Sequence, residues 1–289
     1  MSSSAETERA VEAIRNANSI LITAGAGLGV DSGLPDFRGD RGFWNVYPPY
    51  ERRGFSFADL ANPAWFRNDL PFAWGFYGHR LHRYRETVPH DGFQLLLRWA
   101  NRCEDGFFAV TSNVDGQFQK AGFPEDRIVE IHGSIHHLQC VDGCGIGILD
   151  GEEYSVEVNE ATMRAAVPVP TCPRCGGPLR PNILMFDDRE WDSSRTDRQS
   201  ARYQRWLRHL HERRGDRVNL VVVECGAGTA LPAIRAESER RAREFGGALI
   251  RINRYDPDVP GAEVVGPLFI GLRGGALDVL RRIDLAQES

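Results

Sequence analysis

No apolar run in this 289-residue chain approaches the length that spans a bilayer. Excess positive charge is also lacking. With 35 Lys and Arg against 40 Asp and Glu, the formal net charge is −5, which argues against general affinity for nucleic acid or anionic membrane. Several arginines do cluster, at Arg195, Arg198, Arg202, Arg205 and Arg208, but they are interleaved with acidic and apolar residues. They read as a solvated helix face. The polar, acidic start Met-Ser-Ser-Ser-Ala-Glu-Thr-Glu-Arg does not resemble a signal or transit peptide, and the expected location is cytoplasmic. Internal repeats and low-complexity linkers are absent from the sequence.

What is present fits a soluble globular protein of one large domain, or one domain with a module. Ser19-Ile-Leu-Ile-Thr-Ala24 is an apolar run with β-branched residues, closed by glycine. It predicts a buried parallel strand. Similar runs occupy 107–111, 128–131, 218–223 and 248–252, with helical patterns at 5–17, 92–101, 196–210 and 231–245. Such alternation predicts an open α/β sheet, doubly wound, with helices on both faces. Two stretches interrupt it. Residues 41–86 are aromatic and basic, with Pro48, Pro49, Pro63 and Pro71, and predict a loop followed by short helices. Residues 136–180 are rich in Gly, Pro and Cys. The expected organisation is a Rossmann-like domain from 1–40, 87–135 and 181–289, with a small domain inserted as 41–86 and 136–180.

Four of the six cysteines fall in two close pairs, Cys140/Cys144 and Cys172/Cys175. Two thiolates on one turn share a cation, and two such turns complete a tetrahedron. Metal is favoured over disulfide in a cytosolic chain, so one structural zinc is expected. Four cysteines leave no open position for catalysis. His136 and His137 compete only weakly as ligands, and Cys103 and Cys225 read as core residues.

Polar and glycine turns follow the predicted strands, where open α/β sheets bind ligands. Gly25-Ala26-Gly27 begins like a dinucleotide turn. The third fingerprint glycine is missing, because position 30 is Val30 and Gly29 comes one place early. Pro35, Asp36, Phe37 and Arg38 then replace the expected helix. Thr111-Ser-Asn-Val-Asp115 ends the second strand, and Asp115 could equally cap the helix that follows. Glu130-Ile-His-Gly-Ser134 places His132, a side chain suited to proton transfer near neutral pH, at the same edge. Gly226, Gly228 and Thr229 follow a later strand, and Asn253 ends the next.

This ordered set resembles the sirtuin family over nearly the whole chain, roughly residues 19–280. The carrying segments are Gly25-Ala-Gly27 through Ser32-Gly-Leu-Pro-Asp-Phe-Arg-Gly39, Asn113-Val-Asp115, Glu130-Ile-His-Gly-Ser134, the cysteine pairs, Pro181-Asn-Ile-Leu-Met-Phe186, the 226–229 turn and Ile252-Asn253. The resemblance implies an NAD-dependent protein lysine deacylase that consumes NAD, releasing nicotinamide and passing the acyl group to ADP-ribose. It implies that Gly25, Ala26 and Gly27 approach the diphosphate through backbone N–H groups. Ala24 and Asp36-Phe37-Arg38 belong to a mobile loop over the nicotinamide ribose, with Phe37 shielding the sugar. Asn113, with Val114 beside it, orders the nicotinamide end, Asp115 holds the carboxamide, and His132 is the general base. Gly226, Gly228, Thr229 and Asn253 face the adenosine half.

The chain departs from the family at Gly29 (serine), Ser112 (glutamine) and Asp187-Asp188 (Gly-Glu). The acid pair at the peptide edge would favour cationic peptides or merely solvate the edge. The implied partner is an acylated lysine on a protein or peptide, not nucleic acid or membrane. Two alternatives share the cofactor site: a protein mono-ADP-ribosyltransferase or NAD glycohydrolase, and a non-enzymatic NAD-sensing module.

Overall fold

The computed structural model describes residues 4–36, 39–213, 218–260 and 268–288. Its strands in chain order are β1 (Ser19–Ala24), β2 (Phe107–Thr111), β3 (Ile128–Glu130), β4 (Gly133–Cys140), β5 (Leu149–Asp150), β6 (Val158–Asn159), β7 (Arg164–Ala165), β8 (Leu179–Ile183), β9 (Leu220–Cys225), β10 (Ala248–Asn253) and β11 (Leu268–Arg273).

Six of them form one parallel sheet in the order β11-β10-β9-β1-β2-β3. Every residue of β1, β2, β9 and β10 is buried, as a sheet covered on both faces requires. Period-two alternation divides the side chains. Ile20 and Ile22 face helices Ser4–Arg15, Gly92–Ala100 and Ala276–Glu288, whereas Leu21 and Val222 face helices Ser194–Glu212 and Ala233–Phe245. The doubly wound expectation therefore holds.

The strand expected at 218–223 runs instead from Leu220 to Cys225. Its acidic residue, Glu224, is fully buried but meets Arg251 of β10 at 2.6 and 3.0 Å, and Glu239 meets the same guanidinium at 2.8 Å. A paired and hydrogen-bonded charge can sit where an isolated one could not.

A second apolar cluster lies around residues 43–84 together with Ile135, Leu138, Leu179 and Met185. The expected loop with short helices contains Gly39–Val46, Pro48–Glu51, Phe57–Leu60 and Trp65–Asn68, but also a 17-residue helix, Leu70–Glu86. Asp69 caps this helix by accepting from the Phe72 N–H, and Pro71 sits in its first turn, where no N–H is needed. Its residues are buried on nearly every side, so the sequence lacks the one-sided stripe that marks a surface helix. Arg80, on the same helix, is buried with its guanidinium over Phe57, Phe76, Tyr77 and Tyr84 and bonded to the Tyr84 hydroxyl at 2.7 Å.

An antiparallel sheet, β5-β4-β8, and the β6–β7 pair complete this part. The boundary expected at residue 181 falls inside β8, which pairs with β4. No helix among the described residues is long and apolar enough to cross a membrane.

Candidate active site

The chain builds outward from β1 through β2 to β3, then returns to place β9, β10 and β11 on the other side of β1. The strand order thus reverses between β1 and β9, and a crevice opens beyond their carboxyl ends. Ala24 pairs with both Thr111 and Cys225, so the turns after β1, β2 and β9 share one level.

The first turn and the turn after β9 interlock through their backbones. The Gly25 N–H donates to the Cys225 carbonyl at 3.1 Å, the Gly27 N–H to the Gly226 carbonyl at 3.0 Å, and the Gly226 N–H to the Ile252 carbonyl at 2.9 Å. A Cβ on Gly25 or Gly27 would sit 2.8 Å from backbone atoms of 226–227, and one on Gly226, whose φ is +64°, would sit 2.3 Å from Gly27 and Leu28. The expectation that all three amides of 25–27 point at a diphosphate is therefore corrected. The N–H groups of Gly25 and Gly27 already donate to carbonyls of the neighbouring turn, and among the described residues Ala26 alone of the three has no such acceptor.

Over these turns lies a cavity of about 470 Å³. Gly25, Ala26, Gly27, Asp36, Gly226, Gly228, Thr229 and Asn253 line it, as does Ser112. Phe37 and Arg38 lie outside the described residues. Ala24 lines β1 rather than the cavity, and its carbonyl accepts from the Ser112 N–H and the Thr111 hydroxyl at 3.1 Å each. The Asn253 side chain is satisfied within the fold: it donates to the Ala227 carbonyl at 2.8 Å and accepts from the N–H groups of Tyr255 and Asp256. Arg235 donates to the same Ala227 carbonyl at 3.2 Å and to that of Asp256.

Among the cavity residues that escaped the sequence reading are the polar side chains Asp31, Arg254 and Tyr255. Asp31 accepts from the Leu277 N–H at 2.9 Å and faces Arg254 at 3.4 Å. Arg254 and Tyr255 directly follow Asn253, and their place in the loop after a strand was the available signal.

Asn113 and His132 stand beside the cavity, joined to it through Gly25 and Ser112, and Asp115 follows two residues after Asn113. Asn113 donates to the Gly25 carbonyl at 3.0 Å. Val114 is buried in the second apolar cluster, and its carbonyl accepts from the Ile135 N–H at 3.0 Å. Asp115 is buried, and one carboxylate oxygen accepts from the Gln117 N–H at 3.0 Å. The capping alternative is not met: the residue that caps the helix Gln117–Lys120 is Gly116, and no side chain bonds that end as a cap. Burial pushes the Asp115 carboxyl up to about 6, against the lowering effects of the Gln117 N–H and the charge of Arg80.

His132 is half-buried, which pulls its imidazole below the ordinary histidine value, while a bond to the Ser112 carbonyl acts the other way. Glu130, two residues earlier at the end of β3, is a buried support: Arg195 meets it at 2.6 Å and Gln199 bonds it.

Away from the crevice, Cys140 and Cys175 place their Sγ atoms 3.6 Å apart, Cys144 and Cys172 place theirs 3.5 Å apart, and all four lie within 4.8 Å of one another. Disulfide sulfurs lie about 2.05 Å apart. Thiolates around zinc at about 2.3 Å lie on the order of 3.8 Å apart. The cluster therefore fits a tetrahedral zinc ion. His136 instead bonds the Asp115 carbonyl at 2.9 Å.

The expected acid pair divides. Asp187 is exposed, whereas the Asp188 carboxylate is fully buried against Arg180 at 2.6 Å. Asp188 neither solvates the edge nor faces a peptide.

The sequence model described as "Sir2 family" matches residues 25–202. A protein named NAD-dependent protein deacylase from Aquifex aeolicus (strain VF5) is 32% identical over 240 residues, covering 83% of this chain and 84% of that one. A protein of the same name from Thermococcus kodakarensis is 27% identical, covering 95% and 94%. Among solved structures, a Sir2 homolog–NAD complex superposes with a TM-score of 0.63 at 22% identity, covering 97% of this chain and 94% of that chain.

Proposed function

The chain belongs to the Sir2 family, and from that premise we propose that it is an NAD-dependent protein lysine deacylase. The observation that carries the proposal is the crevice at the reversal of strand order, with two interlocked glycine turns on its floor and a half-buried histidine at its edge.

When bound, NAD supplies an electrophilic sugar carbon at its bond to nicotinamide. The protein's own groups do the rest. The close backbone approach of Gly25, Gly27 and Gly226 leaves room for a diphosphate, and the Ala26 N–H is the amide available to it. Gly228, Thr229 and Asn253 take the adenosine side, with Asn253 acting through the turn it holds. Asn113, fixed on the Gly25 carbonyl, orders the nicotinamide end. Asp115 takes the carboxamide, and Asp36, with Phe37 and Arg38 next in sequence, takes the part of excluding water, while Ala24 stays in β1 beneath the turn.

His132 is the proton acceptor. One ring N–H is engaged by the Ser112 carbonyl, so in the neutral ring the other nitrogen carries a lone pair. Burial keeps the ring neutral at physiological pH, ready to take a proton from a ribose hydroxyl. Cys140, Cys144, Cys172 and Cys175 would hold the zinc, which closes the small domain and takes no part in the reaction.

The same proposal assigns 41–86 and 136–180 to one small domain, supported by their shared apolar cluster. It takes an acylated lysine on a protein or peptide as partner in the cytoplasm, in preference to nucleic acid or membrane, in keeping with the net charge of −5.

The test is incubation with NAD and an acyl-lysine peptide library, with products followed by mass spectrometry. Acylated ADP-ribose formed only with acyl peptide is the expected outcome. Peptide-independent ADP-ribose, or ADP-ribose added to protein, would move the assignment to the glycohydrolase or transferase alternative. No reaction at all would leave a binding module. His132→Ala should lower turnover by about 10²–10⁴-fold, and unchanged turnover would remove its assigned role.

A further inference from the structure

The exposed strip beside His132 is the segment that follows β8. Leu184 donates its N–H to the His132 carbonyl at 2.9 Å, and Phe186 donates to the Ala61 carbonyl at 2.9 Å. These bonds tie 184–186 between the His132 loop and the end of helix Phe57–Leu60. Leu184 and Phe186 are each 38% exposed, so the strip offers apolar surface to a partner lying along it.

Asp187 comes next, with φ +56°. The left-handed region is disfavoured for residues with a side chain, least so for Asn and Asp. The turn is secured by Asp188: besides its bond to Arg180, it accepts from the Met185 N–H at 3.3 Å and the Glu190 N–H at 3.2 Å. Asp187 takes no part in this network. Its carboxylate is turned to solvent, and among the described residues it makes no hydrogen bond or ion pair. Nearby, Glu190 is held by Arg67 at 3.0 Å, and Arg189 is exposed.

We propose that Asp187 is a specificity-determining residue that favours acyl-lysine sites flanked by a cationic side chain; this rests on the deacylase assignment above. Because Leu184 is bonded to the His132 carbonyl, the strip 184–187 is the exposed surface that a polypeptide presenting a modified side chain to His132 would pass on this proposal. Asp187 lies three residues beyond Leu184, a span of at most about 10 Å. The partner therefore meets two apolar side chains and one uncompensated carboxylate. An Arg or Lys near the acyl-lysine pairs with that carboxylate, and a Glu is repelled. Both groups remain solvated, so the expected discrimination is modest, about two- to fivefold in kcat/KM for each comparison, and it shrinks in high salt.

The test uses acyl-lysine peptides that differ only in carrying Arg, Gln or Glu beside the acyl-lysine. Each is assayed with NAD on the wild-type protein and on Asp187→Asn, at about 50 mM and about 500 mM salt, bracketing the range over which exposed charges become screened. Asn accepts the left-handed backbone without the charge, so the turn is kept. The expected wild-type order is Arg above Gln above Glu at low salt. In Asp187→Asn the Arg-to-Glu ratio should collapse toward one, and anisotropy of labelled peptides should show the same collapse in binding. An unchanged ratio in the variant, or no discrimination by the wild type, overturns the proposal while leaving the deacylase assignment intact. Absence of NAD-dependent turnover for every peptide overturns the deacylase assignment and this proposal with it.

Discussion

Replacing Gly226 by alanine tests whether the two glycine turns are built to fit each other. The new methyl carbon would lie 2.3 Å from the Gly27 carbonyl carbon and 2.3 Å from the Leu28 nitrogen. Both are backbone atoms, so no side chain can rotate aside. Ordinary carbon contacts lie at about 3.5 Å or more, and the turns would have to part by about 1 Å. Parting weakens the Gly27-to-Gly226 and Gly226-to-Ile252 bonds. The left-handed backbone adds about 1–2 kcal/mol for a residue with a side chain, and overpacking adds about 1–3 kcal/mol. The expected loss is about 2–5 kcal/mol, or a fall in Tm on the order of 10 °C. Gly228→Ala is the control, because a Cβ there meets no atom within 4 Å. Its stability should stay within about 0.5 kcal/mol of wild type. Thermal unfolding without ligand, followed by circular dichroism, measures both. Equal shifts for the two variants would refute the interlock and leave Gly226 needed only for ligand.

Three further outcomes follow from the same geometry. Burial raises Asp115 to about 6 from an ordinary 3.8, so its ionised form opposes folding as pH rises through that interval. Asp115→Asn should therefore be more stable than wild type at pH 8, by roughly 2–3 kcal/mol, and equal to it near pH 3; a pH-independent difference in urea titrations would contradict this. Removing zinc with a chelator should destabilise the protein and release about one metal equivalent, and metal analysis finding well under one equivalent in unchelated protein would defeat the zinc assignment. Arg235→Met removes one of two donors to the Ala227 carbonyl and one donor to that of Asp256 and should raise KM for NAD and weaken ADP-ribose binding in calorimetry about threefold or more, with kcat nearly unchanged; a fall in kcat alone would reject that role.

Much of this architecture was legible because it is written in short, local patterns. The runs at 19–24 and 107–111 are strands over those same residues, since fully buried parallel strands need uninterrupted apolar residues. The cysteine spacing foretold the cluster because metal ligation constrains spacing directly. Helix Leu70–Glu86 was not legible: burial on nearly all sides erases periodicity, and Pro71 resembles loop punctuation although it only opens the helix. Polar roles divided similarly. The sequence placed Asn253 at the crevice but could not show that its amide is consumed by the Ala227, Tyr255 and Asp256 backbone. Nor could it show that adjacent acids, Asp187 and Asp188, have opposite environments, because Asp188 depends on Arg180 eight residues away. Gly29 gains meaning from the structure too. A Cβ there would lie 3.8 Å from Oδ2 of the Asp115 carboxylate, so the missing serine removes a hydroxyl from beside a buried acid.

The central claim is that NAD cleavage and lysine deacylation are one coupled reaction in the crevice between β1 and β9. Its most direct test is stoichiometry: nicotinamide released and acyl-lysine consumed, measured together in a single incubation. One nicotinamide per acyl group removed, with neither event when NAD or the acyl peptide is omitted, is the predicted result. Nicotinamide released at the same rate without acyl peptide, or acyl groups removed without NAD, would contradict it.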